Sequence, residues 1–277
     1  MTRLAGKVAL VTGAGRAGGL GQAIARRLAA EGASLVLHDR GAVAGEIAPA
    51  HGVGTLSDLE ITAAAIRAAT GARIETVTGD LMQESAIAAM VGVAATAFGR
   101  LDILINNAGI GYLFGPLAQA DAAHLDAVLG VNLRAPMLAI KHAVPLMQAT
   151  GGGRIVNIAS QAGKSGFAMA TAYTASKHGL IGLTRAAALE LAPLGITVNA
   201  VCPNHVTTGL GAWQNDFMAS ARGESLEDYL DGMRKRIPLG RPGLPEDTAG
   251  AVAFLCSDDA AYITAEALNV SGGEEYH

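Results

Sequence analysis

The chain is 277 residues long with a formal charge of −4, and 51% of its residues are hydrophobic although only 4% are aromatic. That length suits one domain of a few layers, or at most two small ones. The hydrophobicity excludes a disordered chain, and a negative charge without a Lys/Arg run excludes a general attraction to nucleic acid.

The elements alternate from the start. "KVALVTG" (7–13) is a β-branched run ending in a turn signal, and it reads as a strand, not as a secretion leader. "GLGQAIARRLAAEGA" (19–33) changes to helical period, with Ile24, Ala25 and Leu28 on one face and Arg26, Arg27 and Glu31 on the other. "SLVLHDR" (34–40) returns to strand. Residues 41–56 show no period and predict a connection longer than such units need. A helix follows over 57–70, with Ser57 and Glu60 at capping-box spacing. "RIETVTGDL" is a third strand, "SAIAAMVGVAATAFG" a helix, and "LDILINNAG" (101–109) a fourth strand ending in polar residues. A long helical stretch over 121–149, a strand at 154–160, a helix at 173–192 and a strand at 196–203 continue the pattern. Residues 204–238 look polar and irregular, 247–257 helical, and 267–273 a last strand and turn. No run approaches the roughly 18 apolar residues of a membrane span. Cys202 and Cys256 are the only cysteines and read as buried thiols of a reducing compartment. The expectation is one cytoplasmic α/β domain: a mostly parallel sheet covered by helices on both faces.

In such a sheet ligands bind beyond the carboxyl ends of the strands. "VTGAGRAGGLG" joins the first strand to the first helix, where glycines let a pyrophosphate approach the backbone and the helix N-terminus favours its charge. Asp39 ends the second strand 18 residues after Gly21, close to the spacing of a carboxylate that accepts from an adenosine ribose. Asp80 ends the third strand and is placed either to touch an adenine or to cap the next helix. Tyr173 and Lys177, in "AYTASKHGL", are i and i+4 and share a helix face. A phenol is a poor base at neutral pH, and a neighbouring ammonium stabilises its phenolate. Ser160, thirteen residues before the tyrosine, ends a strand at the same sheet edge and could hold a substrate oxygen beside the phenol. Asn132, in "GVNLRAP", interrupts the 121–149 helix and would bond either the helix backbone or a water near Lys177.

Together, in this order, these motifs make residues 6–273 resemble a short-chain dehydrogenase/reductase. The resemblance implies a Rossmann-type three-layer fold with seven strands in the order 3-2-1-4-5-6-7, a dinucleotide-binding part over about 6–160 and a catalytic and substrate part over about 160–273. It implies a catalytic set of Asn132, Ser160, Tyr173 and Lys177, working without a metal. Cofactor contacts would come from Gly13, Gly15, Gly18, Gly19, Leu20, Gly21, Asp39, Arg40, Asp80, Leu81, Asn107, Ala108 and Gly109. Tyr173, Lys177, Pro203, Asn204, Val206 and Thr208 would complete them. The sequence departs from the family pattern at two of these places. Five residues separate Gly13 from Gly19 where three are usual, so the loop is expected to bulge, with Gly15 or Gly18 taking part of the usual role. Pro203–Asn204 stands where Pro-Gly is common, and Asn tolerates the left-handed backbone such a turn needs.

The resulting expectation is a dehydrogenase or ketone reductase preferring NAD, because Asp39 repels the 2′-phosphate of NADP, although Arg16 and Arg40 could pair with that phosphate. An NADPH-dependent anabolic ketoreductase and a non-catalytic nucleotide-binding scaffold are the alternatives. Residues 209–237 are expected to cover the substrate, with Trp213, Phe217 and Met218 either forming an apolar wall or packing the lid against the body. Ser160, Gln161, Tyr173, Asn204, His205 and Trp213 are the candidate substrate contacts. So many hydrogen-bonding groups suit a small polyol, sugar derivative or hydroxy-keto compound; Arg222 would alternatively meet a carboxylate or sulfonate. Ala-rich helices at 121–149 and 173–192 suggest a closed symmetric homotetramer.

Overall fold

A computed structural model describes residues 2–41, 55–111 and 115–276. The strands are β1 (Val8–Thr12), β2 (Ser34–Asp39), β3 (Ile74–Thr78), β4 (Ile103–Asn106), β5 (Gly153–Ile158), β6 (Ile196–Pro203) and β7 (Ala267–Val270). They pair in parallel throughout, in the order β3-β2-β1-β4-β5-β6-β7. The helices are α1 (Leu20–Ala30), α2 (Leu56–Thr70), α3 (Glu84–Phe98), α4 (Ala122–Leu129), α5 (Ala135–Ala149), α6 (Thr171–Leu191), α7 (Gly209–Arg222), α8 (Leu226–Arg236) and α9 (Pro245–Cys256).

Strand alternation divides the core into two layers. Ala9, Val11, Leu35, Leu37, Ile103 and Ile105 point to the face covered by α1, α2 and α9. Val8, Leu10, Val36 and Leu104 point to the face covered by α3, α5 and α6. Because both faces are buried, the strands read as continuous apolar runs rather than as alternating ones. The result is the single-domain three-layer α/β/α fold that the resemblance implied, with the topological switch point between β1 and β4.

Two of the sequence expectations change, and the interruption expected at Asn132 takes a definite form. The helix after the long connection begins one residue earlier, and its capping box is Thr55 with Asp58, not Ser57 with Glu60: Thr55 Oγ1 accepts from Asp58 N at 3.1 Å and Asp58 Oδ2 accepts from Thr55 N at 2.9 Å. The helical stretch over 121–149 is broken by a π-turn at Gly130–Arg134, which contains Asn132. The segment read as irregular, 204–238, holds two helices, α7 and α8, each started by a hydroxyl cap at Thr208 or Ser225. Most of the 41–56 connection lies outside the described residues.

Candidate active site

The loop from β1 to α1 absorbs its two extra residues as a turn. Gly19 N donates to the Arg16 carbonyl at 3.1 Å, and Gly18 N donates to Gln22 Oε1 at 3.0 Å. Gly13 lies at φ +69°, and a Cβ there would stand 2.8 Å from the Ala108 Cα; one on Gly21 would collide with the Gly13 carbonyl oxygen. Those two positions therefore need glycine to bring α1 and the end of β4 against the loop. Thr12 ties the same parts together: its Oγ1 accepts from the amides of Asn107 and Ala108, each at 3.0 Å, while Asn107 Nδ2 donates to the carbonyls of Thr12 and Gly13.

A cavity of about 480 Å³ opens at this switch point, lined by Gly13, Gly19, Leu20, Gly21, Asp39, Arg40, Asp80, Leu81, Asn107, Ala108, Gly109 and Thr208. Its residues fit a dinucleotide. The α1 N-terminus at Gly19 has no side-chain cap, so its first amides are open to an anion. Gly15 and Gly18 do not line the cavity. Gly15 instead packs beneath Asp39, donating its amide to Asp39 Oδ2 at 2.7 Å, while the Arg40 amide donates to Oδ1 at 2.8 Å. Burial raises the Asp39 carboxyl above its ordinary value, against the pull of these two donors. Arg40 lies 3.4 Å from Asp80. Asp80 Oδ1 accepts from the Met82 amide at 3.0 Å, so it shapes a turn before α3 and does not cap that helix, whose N-cap is Gln83. Arg16, His38, Met82 and Val131 also line the cavity and were not among the assigned cofactor contacts. Arg16 was foreseen only as a charge; the others carry no motif signal.

A second cavity, of about 590 Å³, adjoins the first and shares Leu20, Asn107, Gly109, Ile110 and Thr208 with it. Ser160, Gln161, Tyr173, Lys177, Pro203, Asn204, His205 and Val206 line it. Ser160 Oγ accepts from the Ala162 amide at 3.1 Å, leaving its O–H as a donor. Lys177 is 5% exposed; its Nζ donates to the Ile158 carbonyl at 2.8 Å and lies 5.6 Å from the centre of the Tyr173 ring. Burial lowers the Lys177 ammonium to about 8. Asn132 clamps the chain at Ile110 from both sides: Oδ1 accepts from its amide at 2.9 Å and Nδ2 donates to its carbonyl at 2.8 Å. The same Nδ2 lies 3.1 Å from Ser176 Oγ, which donates to the Tyr173 carbonyl at 2.7 Å. The backbone that Asn132 bonds is not that of its own helix, as one expectation had it, but that of Ile110 in the loop after β4.

The mouth of this cavity differs most from expectation. Asn204 is not the left-handed residue of the turn after β6; His205 is, at φ +44°. The Asn204 amide donates to Glu274 Oε2 at 2.7 Å, and Gln161 Nε2 donates to Glu275 Oε1. Trp213 does not line the cavity: it stacks on Phe217 with ring centres 5.7 Å apart, and Gln214 and Met218 of the same helix form the wall. Phe167, Arg222, Tyr229, Arg236 and Glu274 also line it, and Arg236 and Glu274 had no signal in the sequence.

A family model described as Enoyl-(Acyl carrier protein) reductase matches residues 13–275. The chain is 39% identical to a candidate ketoacyl reductase of the monensin polyketide synthase of Streptomyces virginiae, covering 99% of this chain and 98% of that one. It is also 39% identical to the cis-4-hydroxycyclohexanecarboxylate dehydrogenase of Sinomonas cyclohexanicum, over 96% of each chain. The crystal structure of carveol dehydrogenase from Mycobacterium avium in complex with NAD superposes with a TM-score of 0.90 at 32% identity, covering 99% of both chains. A parallel seven-stranded sheet, a glycine-lined cavity at its switch point and a neighbouring cavity faced by serine, tyrosine and lysine define a nucleotide-dependent oxidoreductase. The chain belongs to the short-chain dehydrogenase/reductase family and is an NAD(P)-dependent oxidoreductase of small alcohols or ketones, which removes the scaffold alternative.

Proposed function

We propose that the protein interconverts a secondary alcohol and a ketone with NAD, on a small polyol, sugar derivative or hydroxy-keto substrate. The observation that carries this reading is that Ser160, Tyr173 and Lys177 face one cavity, which runs into the glycine-lined one. In the oxidative direction the Tyr173 phenolate takes the carbinol proton, and the Lys177 ammonium stabilises that phenolate. Ser160 donates its O–H to the substrate oxygen and so orients it. Asn132 acts as a positioning residue, holding the loop at Ile110 and, through Ser176, the backbone of Tyr173. Gly13, Gly19, Gly21 and the open amides of α1 would hold a nicotinamide dinucleotide, which when bound supplies the hydride acceptor.

Two observations support NAD over NADP. Asp39 is held by two backbone amides at the cavity wall, where a 2′-phosphate would meet its charge. Arg40, one of two cations able to offset that repulsion, is drawn toward Asp80. The expected ratio of kcat/KM is at least about tenfold in favour of NAD, about 1.4 kcal/mol. A second reading, an NADPH-dependent anabolic ketoreductase, is favoured by the name of the Streptomyces relative and by Arg16 at the cavity wall. A spectrophotometric screen of sugars, polyols, hydroxy acids and cyclic alcohols with each cofactor separates them. Equal kcat/KM with both cofactors would overturn the NAD assignment, and turnover confined to plain hydrophobic alcohols would overturn the polar-substrate assignment.

A further inference from the structure

We infer that the substrate carries an oxyanion at the end away from its reacting carbinol, and that Arg222 holds it. The inference rests on reading the Ser160–Tyr173–Lys177 cavity as the substrate site. The mouth of that cavity is built from three distant segments: α7, α8 and the chain after β7. Among the described residues, Glu274 is the one carboxylate in the lining. Its charge is already engaged, since Oε2 accepts from Asn204 at 2.7 Å and lies 3.4 Å from His205 Nε2, and Oε1 lies 3.4 Å from Arg236 Nε. Glu274 and Arg236 thus offset each other, and burial holds His205 toward its neutral form.

Of the other two cations in the lining, Lys177 sits with Tyr173 and the Ile158 carbonyl, which leaves Arg222 as the uncompensated charge at the mouth. Its guanidinium lies 5.3 Å from the centre of the Tyr229 ring, and no described carboxylate pairs with it. Tyr229 is only 4% exposed, so the ring is a fixed platform. Arg222 is exposed, but with its guanidinium carbon over that ring its position is partly fixed before a ligand arrives, and its paired N–H groups match two oxygens of a carboxylate, sulfonate or phosphate. A position in the last turn of α7 accounts for a basic residue at 222. It does not account for that residue bordering the substrate cavity on a buried aromatic ring. An uncharged polyol would cover this cation without neutralising it, whereas an anion would neutralise it as the mouth loses water.

The test uses matched pairs with NAD: gluconate against gluconamide, 4-hydroxycyclohexanecarboxylate against its carboxamide, and glycerol 1-phosphate against glycerol. The carboxylate and phosphate arms distinguish the sources of the oxyanion. With the wild-type enzyme, at least one anion should exceed its uncharged partner by about tenfold in kcat/KM, chiefly through KM. Arg222→Gln should remove most of that preference by raising KM for the anion, and Arg222→Lys should restore part of it, because the charge returns without the fork. Uncharged compounds turned over as well as the anions, or a preference that survives in Arg222→Gln, would overturn the inference while leaving the dehydrogenase reading intact. Absence of NADH formation from all six compounds would overturn the inference, since no anion would then be accepted, while the dehydrogenase reading would rest on the wider screen of alcohols with each cofactor.

Discussion

Tyr173 and Lys177 stand one turn apart on α6, and their different surroundings assign them different work. Tyr173 borders the open cavity, where a phenol can exchange a proton with substrate. Lys177 is buried and keeps one N–H on the Ile158 carbonyl. Tyr173→Phe removes only the hydroxyl, so it should leave fold and NAD binding nearly intact and lower kcat by about 10²–10⁴; near-normal turnover would sink the assignment. Lys177 makes a pH prediction. Burial lowers its folded-state value from 10.5 to about 8, so the folded protein binds fewer protons than the unfolded chain between those limits. The penalty for the buried charge is complete below about pH 8, fades as pH rises and is gone near 10.5. It corresponds to roughly 3 kcal/mol. Urea unfolding at pH 7, 8.5 and 10 should therefore show wild-type stability rising relative to Lys177→Met across that window; a gap independent of pH would contradict the buried charge.

At the scale of elements, local capping and local irregularity position the site. The α2 helix begins at a reciprocal Thr55–Asp58 box, immediately after the described end of the long connection. Thr55→Ala should lower unfolding stability by about 1 kcal/mol, measured by urea titration, with kcat little changed because α2 lies on the sheet flank. A loss below a few tenths of a kcal/mol would show that the cap contributes nothing. The π-turn at Gly130–Arg134 works differently. It turns a buried asparagine, 1% exposed, out of the helical ladder toward Ile110 and Ser176.

Large apolar side chains are exposed at several places on the whole molecule, Ile61 of α2 and Leu117 among them, and two groups of them bear on assembly. Leu129, Met137 and Leu189 are exposed on α4, α5 and α6; Leu239, Tyr262 and Leu268 are exposed around β7. We propose that these two groups make two different two-fold contacts, an arrangement that would close as a tetramer. Light scattering at working concentration is expected to report four chains, with two as the fallback; a single-chain mass would refute the assembly.

The fold was legible because its signals are local. Apolar runs of strand length, helical periods between them and turn residues at the joins specify β-α-β units, and the glycine loop, the Asp39 position and the Tyr173–Lys177 spacing each lie within one such unit. The mouth of the substrate cavity was legible only in part: Gln161, Asn204, His205, Met218 and Arg222 were expected there and line it, whereas Arg236 and Glu274 come from segments whose meeting no periodicity encodes. Glu274 meets Asn204 across 70 positions of chain. The α7 helix illustrates the limit: Trp213 and Met218 lie about 140° apart around a helix, so an apolar pattern containing both leaves the inward face undecided. Packing settled it, turning Met218 to the cavity and stacking Trp213 on Phe217. The left-handed residue after β6 was likewise decided by tertiary contacts. Asn204 is held by Val270 and Glu274, so the strained backbone falls on His205 despite asparagine's greater tolerance for it.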